Sequence, residues 1–474
     1  MSPQTSSHPP SDPGRRRACP PSAAGSARLA AIVAALAGLC TGAASAASDA
    51  AALRAAVAES AAAIEDRVIA WRRDIHQNPE LGNREFRTAA LVAEHLRATG
   101  LDEVRTGIAH TGVVGVLRGA RPGPVVALRA DMDALPVEEK VDLPFASHVT
   151  AEYNGQTVPV MHACGHDNHT AILMGVAEVL AGLRQQLPGT MLFVFQPAEE
   201  GPPAGEEGGA AMMLAEGVFD DPAPEAVFEL HVGPAPPGLI SYREQGAMAA
   251  ADALEIRVVG RQTHGSSPWL GVDPIIVAGQ ILVALQTIPS RQLDITAAPA
   301  VVTIGSIHGG VRGNIIPDDV VMTGTIRTFD TAMRDDLLQR IERTATRIAE
   351  AAGAEATVTI DPYAPVVYNQ PELVRRTLPA LVWAAGDARR VVESPRIMGS
   401  EDFAFFQQRV PGFYFMLGVA RADAAPGESA PNHSPYFYAN EDALIVGVRA
   451  LAAAATDYLV AAAGAQDGSG GGDD

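Results

Sequence analysis

Lysine and cysteine are both scarce in this 474-residue chain. Lys140 is the only lysine, and the formal net charge is −20. Proteins that bind nucleic acid neutralise phosphates with clustered lysine and arginine, so this composition excludes nucleic acid as a partner. Of the three cysteines, Cys19 and Cys40 lie near the N-terminus and only Cys164 lies further along. We expect Cys19 and Cys40 to be removed with an N-terminal signal peptide, which leaves Cys164 as the lone cysteine of the mature chain. A lone cysteine cannot form an intramolecular disulfide, so we expect Cys164 to be buried, ligated or catalytic.

The N-terminus has the features of an export signal. Arginines at positions 15–17 and 28 precede the apolar run Leu29–Leu39, and Ala44-Ser45-Ala46 fits a small-residue cleavage site. The alternative is a membrane anchor, but the apolar run is too short to span a bilayer. We therefore expect residues 1–46 to be a signal peptide. The mature protein should be periplasmic or secreted and free of the membrane.

Alternating strand and helix patterns predict an α/β catalytic domain. The pattern is mainly helical from Leu53 to Leu96, with a break at Asn78–Gly82. Beyond it we predict strands at Val113–Leu117, Val125–Leu128, Met191–Phe195 and Ala226–Leu230, a turn at Arg121–Pro124 and a helix at Thr170–Leu183. This alternation is typical of a mainly parallel, buried sheet flanked by helices.

A second pattern begins near residue 250. It predicts strands at Leu254–Val258, Val301–Ile307, Val320–Phe329 and Ala356–Ile360, and helices at Pro274–Ile288 and Met333–Ala352. The order β-α-β-β-α-β is that of a ferredoxin-like α+β domain.

The first pattern then resumes, which indicates that the small domain is inserted into the large one. It predicts a helix at Pro371–Ala385, a strand at Gly412–Leu417 and a helix at Glu441–Ala463. We expect a catalytic domain in two parts, 50–248 and 363–463, with an inserted lid at 249–362. The glycine- and aspartate-rich tail, 464–474, should be disordered.

Metal-ligating side chains lie at the ends of the predicted strands. They are Asp131 and Asp133 after the strand at 125–128, His162, Cys164, His166 and Asp167 before the helix at 170, Glu199 and Glu200 after the strand at 191–195, and His231 after the strand at 226–230. Sites form where the carboxyl ends of parallel strands meet. Imidazole, carboxylate and thiolate groups are the ligands of divalent transition metals. Each group alone fits a turn or a solvated surface, but together they predict a metal site.

The adjacent residues Glu199 and Glu200 are expected to have different roles. Two neighbouring carboxylates are unfavourable to bring together unless cations neutralise them. One can bind a metal while the other takes a proton from an activated water molecule.

The motifs around these residues resemble those of a known family. They are Arg129-Ala-Asp-Met-Asp-Ala-Leu-Pro136, Met161-His-Ala-Cys-Gly-His-Asp167, Phe195-Gln-Pro-Ala-Glu-Glu-Gly201, Asn314-Ile-Ile-Pro-Asp318 and Met398-Gly-Ser-Glu-Asp-Phe403. The chain resembles the metallopeptidase-type aminoacylases and carboxypeptidases, in the branch of hippurate hydrolases and indoleacetyl-amino-acid hydrolases. The resemblance extends over roughly residues 60–460.

This resemblance implies a metal-dependent amidohydrolase with two divalent ions, typically zinc, manganese, cobalt or nickel. The matching metal ligands are Cys164, His166, Glu200, His231 and His433, and Glu199 matches the general base. His264 matches a lid residue that stabilises the oxyanion at the substrate, and Asn314 matches a substrate-binding lid residue. The implied substrate is an N-acyl amino acid or short peptide. The lid makes a dimer contact in related enzymes, so a homodimer or higher homo-oligomer is expected.

Two segments depart from the family pattern. The usual Gly-Gly-His-Ala is Gln262-Thr263-His264-Gly265 here, and the acidic segment Pro202–Gly208 is longer than the typical loop. Both lie near the expected substrate cleft, so they affect specificity rather than the metal set.

Three alternatives differ from an N-acyl amino acid hydrolase. A periplasmic metallo-carboxypeptidase or dipeptidase would use the same residues on peptides. A thiol hydrolase would use Cys164 as nucleophile and His166 as base, although residues two apart rarely reach that geometry and the carboxylates would have no role. A periplasmic binding protein would share the fold without catalysis.

Overall fold

The computed structural model describes residues 48–425 and 427–469. The predicted signal peptide, 1–46, lies outside the described residues. Two sheets dominate the structure, one of ten strands and one of four.

The ten-stranded sheet forms the centre of the catalytic domain. Its path is β1 (Glu103–Ile108), β2 (Gly112–Arg118), β6 (Pro188–Gln196), β3 (Arg121–Asp131), β7 (Ala226–Gly233), β18 (Gly412–Gly418), β16 (Val367–Asn369) and β9 (Gln245–Met248), with β8 (Ile240–Tyr242) beside β18 and β17 (Val391–Glu393) beside β8. The central strands β6, β3, β7 and β18 run parallel, whereas β1 and β2 are antiparallel. The predicted α/β fold with a mainly parallel sheet is confirmed.

Helices cover both faces of this sheet. They are α1 (48–62), α2 (Glu65–Gln77), α3 (Phe86–Ala98), α4 (His166–Gly182), α5 (Gly209–Ala215), α9 (Pro371–Ala385), α10 (Phe403–Arg409) and α11 (Leu444–Ser469). Side chains alternate across β3: Val126 and Leu128 join the larger core with α4 and α11, and Ala127 joins the smaller core with α5 and α10. Burial on both faces explains why the strands are continuously apolar.

The four-stranded sheet belongs to the small domain. Its order is β12 (Ala300–His308), β14 (Asp319–Thr328), β10 (Ala250–Val259) and β15 (Glu355–Ala364), packed against α6 (Pro274–Leu285), α7 (Thr287–Arg291) and α8 (Thr331–Ala351). Numbered along the chain, the order is 2-3-1-4, which is the ferredoxin-like arrangement. Asp273 caps α6, since its Oδ1 accepts from Ile275 N at 2.9 Å, as the Asp-Pro pair predicts.

The remaining described strands form two antiparallel two-stranded ribbons. One joins β4 (Thr150–Tyr153) and β5 (Gln156–Pro159), and the other joins β11 (Thr263–His264) and β13 (Ile315–Ile316).

The structure corrects the limits of several predicted elements. The turn predicted at Arg121–Pro124 is part of β3; the pairing is irregular there, because proline lacks an N–H. Helix α4 begins at His166, four residues before the predicted start, so this ligand candidate lies in its first turn. His231 lies within β7 rather than after it.

The C-terminal helix also differs from its predicted limits. It runs from Leu444 to Ser469, so the first part of the predicted disordered tail, 464–469, is helical instead. The alanines around Gly464 favour a helix. The rest of the predicted tail, 470–474, lies outside the described residues. By length and composition the segment Glu441–Gly464 could cross a membrane, but 78% of its apolar window is buried inside the protein. It serves as a core helix.

Candidate metal centre

The carboxyl ends of parallel strands bring the candidate ligands together. In the pairing of β3 with β6, Asp131 lies opposite Gln196, so the segments after both strands leave the same edge of the sheet. His231 lies near the end of β7, the other neighbour of β3. The loop before α4 adds Cys164 and His166 at this edge.

One group of close ligand atoms contains Cys164, Glu200 and His433. His433 Nε2 lies 2.9 Å from Glu200 Oε1. The cysteine is buried and the His433 side chain is 56% exposed, so this group faces the solvent side of the centre.

The loop around His433 is anchored to the loop that carries Cys164. His433 N donates to Ala163 O at 2.8 Å, and Asn432 Nδ2 donates to Cys164 O at 2.9 Å. His433 has a φ of 68°, a backbone conformation that is uncommon for a non-glycine residue. These contacts explain how a residue so distant in sequence joins the cluster.

A second group contains His166, Glu199 and Glu200. His166 is fully buried, and its Nε2 has no hydrogen-bond partner; the nearest carboxylate oxygens are on Asp131, at 3.6 Å, and on Glu199, at 3.8 Å. Gly165 precedes it with φ 92°, and a Cβ there would lie 2.4 Å from Val232 Cγ2. Only glycine therefore permits this turn into α4.

His231 completes the predicted ligand set. Its Nε2 lies 3.5 Å from Cys164 Sγ, and its Nδ1 lies 2.7 Å from Val232 O. The Nδ1–H donated to this carbonyl leaves Nε2 as the free ligand atom, an arrangement common around metal-binding histidines. Burial, followed by the charge of His169, lowers the pKa of His231 well below its usual value. The ring therefore stays neutral, as metal binding requires.

These residues fit a pair of divalent cations. The donors are three imidazole nitrogens, one carboxylate and one thiolate, which suit zinc and similar metals. A fully buried imidazole nitrogen without a partner, His166 Nε2, is a group that a bound cation would satisfy. The residues that would hold the cations are the five predicted ones: Cys164, His166, Glu200, His231 and His433.

Asp133 is one of the strand-end groups that predict the metal site, but it is not among the five predicted ligands or the predicted base. Its Oδ1 accepts from Glu199 N at 3.1 Å and lies 3.2 Å from His166 Nδ1, while Oδ2 accepts from Glu200 N at 3.0 Å. One buried carboxylate thus orients the candidate base and two ligands. The sequence places Asp133 among the strand-end groups that predict the metal site, and the structure adds its orienting contacts with the candidate base and two ligands.

Residues 127–457 match the model of peptidase family M20/M25/M40. The chain belongs to this family. A relative, thermostable carboxypeptidase 2 of Saccharolobus solfataricus, is 41% identical over 399 residues, which are 83% of this chain and 96% of the relative. An IAA-amino acid hydrolase of Arabidopsis thaliana is 38% identical, with coverage of 83% and 86%.

A solved structure agrees with this family assignment. It is a dinuclear metal-binding peptidase from Bacillus subtilis, 35% identical, with a TM-score of 0.68 over 84% of this chain and 99% of that chain. This M20/M25/M40 member is a metal-dependent hydrolase of amides or peptides, and the predicted family resemblance is confirmed. The thiol-hydrolase and binding-protein alternatives are therefore set aside.

A buried arginine underlies the centre of this M20/M25/M40 hydrolase. Arg129 pairs with Asp131 Oδ2 at 2.9 Å, Glu401 Oε1 at 3.1 Å and Asp402 Oδ1 at 2.8 Å, and also with Glu229. A charged residue inside an apolar strand requires buried partners. This requirement is the sequence signal that could have revealed the cluster.

The environment of Glu199 suits a group that exchanges protons. Its side chain is 9% exposed. Burial, followed by the charges of Glu401 and Glu200, raises the pKa of Glu199 well above its usual value. A raised carboxyl pKa favours general acid–base chemistry near neutral pH.

The two lid candidates lie together in the small domain. His264 on β11 pairs with Ile315, and Gly265 N donates to Asn314 O at 2.8 Å. His264 Nδ1 accepts from Ser266 N at 3.0 Å. Both candidate side chains are exposed, and neither joins a group of close ligand atoms in the part of the chain that the structure describes.

Proposed function

We propose that the protein is a two-metal amidohydrolase that cleaves N-acyl amino acids and releases the free amino acid. The observation that carries the proposal is the buried carboxylate of Glu199, placed beside a cluster of five ligand side chains. The general activity, metal-dependent hydrolysis of amides or peptides, follows from the family. The N-acyl amino acid substrate is the further step.

The chain's residues support a simple division of roles. Bound divalent cations supply Lewis-acid activation of water and of the amide carbonyl. Glu199 takes the proton from the attacking water and delivers it to the leaving amine. Asp133 Oδ1 accepts a hydrogen bond from Glu199 N at 3.1 Å, and this contact fixes the position of the candidate base.

Two lid residues are proposed to contact the substrate. His264 stabilises the oxyanion, and Asn314 binds the α-carboxylate of the amino acid. Both side chains are exposed, and Asn314 directly precedes the strand that pairs with the strand of His264, so both are accessible to a ligand. Glycines at 309, 310 and 313 precede Asn314 in its loop and allow the backbone to approach a ligand closely.

A carboxypeptidase activity on short peptides is the second candidate, favoured by the 41% identity to a relative named as a thermostable carboxypeptidase. Both candidates release an amino acid with a free carboxylate. They differ in the group on the other side of the amide, which is an acyl group in one and a peptide in the other.

Rates on a matched pair of substrates test the proposal. The metal-loaded protein should cleave an N-acyl amino acid at least ~10-fold faster in kcat/KM than its C-terminal amide, because a site that pairs a carboxylate is left unmatched without it. Asn314→Ala should reduce this difference in kcat/KM between the acid and the amide. Equal rates on acid and amide would indicate a general amidase instead.

Export and oligomerisation remain proposals. The N-terminal pattern supports a periplasmic or secreted protein, and exposed Ile276 and Val283 on α6 support a homodimer through the lid. Sedimentation of the purified protein tests the second point: a monomer at micromolar concentration would contradict it.

A further inference from the structure

Glu85 is a buried carboxylate that the metal centre described above does not include. It directly precedes α3 and is 0% exposed. Its Oε1 accepts a hydrogen bond from Ala198 N at 2.9 Å, and its Oε2 accepts one from Thr111 Oγ1 at 2.6 Å. Both donors are uncharged, although acidic side chains are almost never fully buried unless they are paired. Since burial of a carboxyl group without a cation is unfavourable for stability, Glu85 is a candidate for a functional role.

Its partner Ala198 lies in the segment that carries the candidate base. Ala198 has a φ of 52°, a backbone conformation that is uncommon for a non-glycine residue. The methyl group of alanine cannot form a hydrogen bond, so other parts of the chain have to hold this conformation. Glu85 does so at the Ala198 N–H, and Gly82 lies against the same residue: a Cβ at position 82 would be 3.1 Å from Ala198 Cβ. The loop that carries Glu85 therefore packs directly on the residue before Glu199.

Two buried carboxylates hold three successive N–H groups of this segment. The N–H of Ala198 donates to Glu85. The N–H groups of Glu199 and Glu200 donate to Asp133, at 3.1 and 3.0 Å. Asp133 thus holds a metal ligand as well as the candidate base. In the part of the chain that the structure describes, neither hydrogen bond accepted by the Glu85 side chain comes from a predicted metal ligand. Loss of the two carboxylates should therefore have different consequences.

We propose that Glu85 is a positioning residue for catalysis, which fixes the direction of the Glu199 side chain through the N–H of Ala198. The proposal rests on the proposed role of Glu199 as the general base. A displacement of about 1 Å at a catalytic group can cost about 10²-fold in rate, so one peptide group beside the base has a large effect on turnover. Because Glu85 is buried and bonds to no predicted ligand, its loss should lower kcat while metal affinity and KM are retained.

A matched pair of substitutions tests the proposal. Glu85→Met keeps the length of the side chain but has no oxygen to accept the Ala198 N–H. Glu85→Gln keeps Oε1 as an acceptor, and its Nε2 can donate to the hydroxyl of Thr111, which accepts as well as donates. The two variants therefore differ in hydrogen bonding at nearly the same side-chain length. Glu94→Met is the control, since Glu94 is an exposed glutamate of α3.

Hydrogen exchange of the metal-loaded protein measures the contact without turnover. The Ala198 amide should exchange at least ~10-fold faster in Glu85→Met than in the wild type, because a buried hydrogen bond is lost. Exchange in Glu85→Gln should be at least ~5-fold slower than in Glu85→Met. The control should stay within about 2-fold of the wild type. An unchanged exchange rate in Glu85→Met would overturn the proposal.

Kinetics and metal affinity separate positioning from a merely structural role. With an N-acyl amino acid as substrate, Glu85→Met should lower kcat at least ~10-fold. Its KM and its metal dissociation constant should stay within about 2-fold of the control. Glu85→Gln should have a kcat at least ~5-fold above that of Glu85→Met. A metal affinity that fell together with kcat would contradict the proposal, and so would a kcat within about 2-fold of the control.

Two further measurements cover the other outcomes. If the wild type cleaved a dipeptide but no N-acyl amino acid, the proposed substrate would be wrong, and the same kinetic comparison on the dipeptide would still test Glu85. If Glu85→Met did not fold, as judged by thermal unfolding, Thr111→Val would replace it. This variant removes the donor to Glu85 Oε2 at similar volume and should lower kcat at least ~3-fold, the range for one lost hydrogen bond. An unchanged kcat in Thr111→Val would then overturn the positioning role.

Discussion

Replacing Asp133 by asparagine should weaken metal binding while the fold is retained. The carboxylate of Asp133 is 1% exposed and faces three donors: the backbone N–H groups of Glu199 and Glu200 and Nδ1 of His166, all within 3.2 Å. Asparagine keeps one acceptor oxygen and turns an NH₂ group toward donors that need an acceptor. The ligands and the candidate base therefore lose a shared orienting group, although none of them is altered.

Two estimates of the size of this effect agree. Leaving a buried donor without its acceptor costs about 1–3 kcal/mol, which is roughly 5- to 150-fold in a binding constant. Loss of an orienting partner behind metal ligands typically costs about 10- to 100-fold in affinity or activity. We therefore expect Asp133→Asn to bind a divalent metal roughly 10- to 100-fold more weakly.

Competition with a chromogenic chelator measures the metal dissociation constant in each variant. Asp142→Asn is the matched control, since Asp142 is exposed and lies only nine residues further along. Thermal unfolding of the metal-free proteins checks that the fold survives. A dissociation constant for Asp133→Asn within about 2-fold of the control would refute the orienting role, because that change lies within the range of a neutral surface substitution.

Three further predictions concern other parts of the chain. Glu199→Gln should keep the metal and lose at least ~10²-fold in turnover, whereas Glu200→Gln should lose metal; elemental analysis and kinetics would show any reversal of these two roles. In the folded protein, burial and then the charge of Asp133 raise the pKa of Glu85 from 4.5 to about 8. The folded state therefore keeps a proton that the unfolded state releases, so the free energy of unfolding falls as the pH rises from 4.5 to about 8. Glu85→Gln should remove this loss of stability at high pH. The Tm of the variant should therefore exceed that of the wild type by more at pH 8 than at pH 5. A difference in Tm that becomes smaller as the pH rises would contradict the raised pKa of Glu85. N-terminal sequencing of the protein from its native host should begin at about Ala47, and an intact N-terminus on cytoplasmic protein would refute export.

Much of the architecture follows from periodicity in the sequence. The apolar runs at Val125–Leu128 and Met191–Phe195 predict central strands, and both lie in the parallel core. The order of elements in the small domain predicts its sheet, because a ferredoxin-like order permits few topologies. Element limits were less predictable: Arg121–Pro124 has turn composition, yet the chain stays extended there beside Pro188.

The site was only partly predictable for a physical reason. Strand ends converge, so Glu200 and His231 could be grouped from topology alone. His433 lies in a loop held by hydrogen bonds to Ala163, and no periodic pattern encodes such contacts; only the family resemblance indicated it. The sequence places Asp133 and Arg129 at the end of a central strand. Their contacts with Glu200 and Asp402 join residues distant in sequence, so these contacts become visible only when the side chains are placed.

Metal content measured together with activity tests the central claim, a two-metal hydrolase, most directly. The purified protein is dialysed against a chelator, its metal content is verified by elemental analysis, and N-acyl amino acid hydrolysis is assayed before and after a divalent metal is restored. The account predicts no activity in the metal-free protein, and recovery that is complete at two ions per chain. Full activity in protein verified to be free of metal would contradict it.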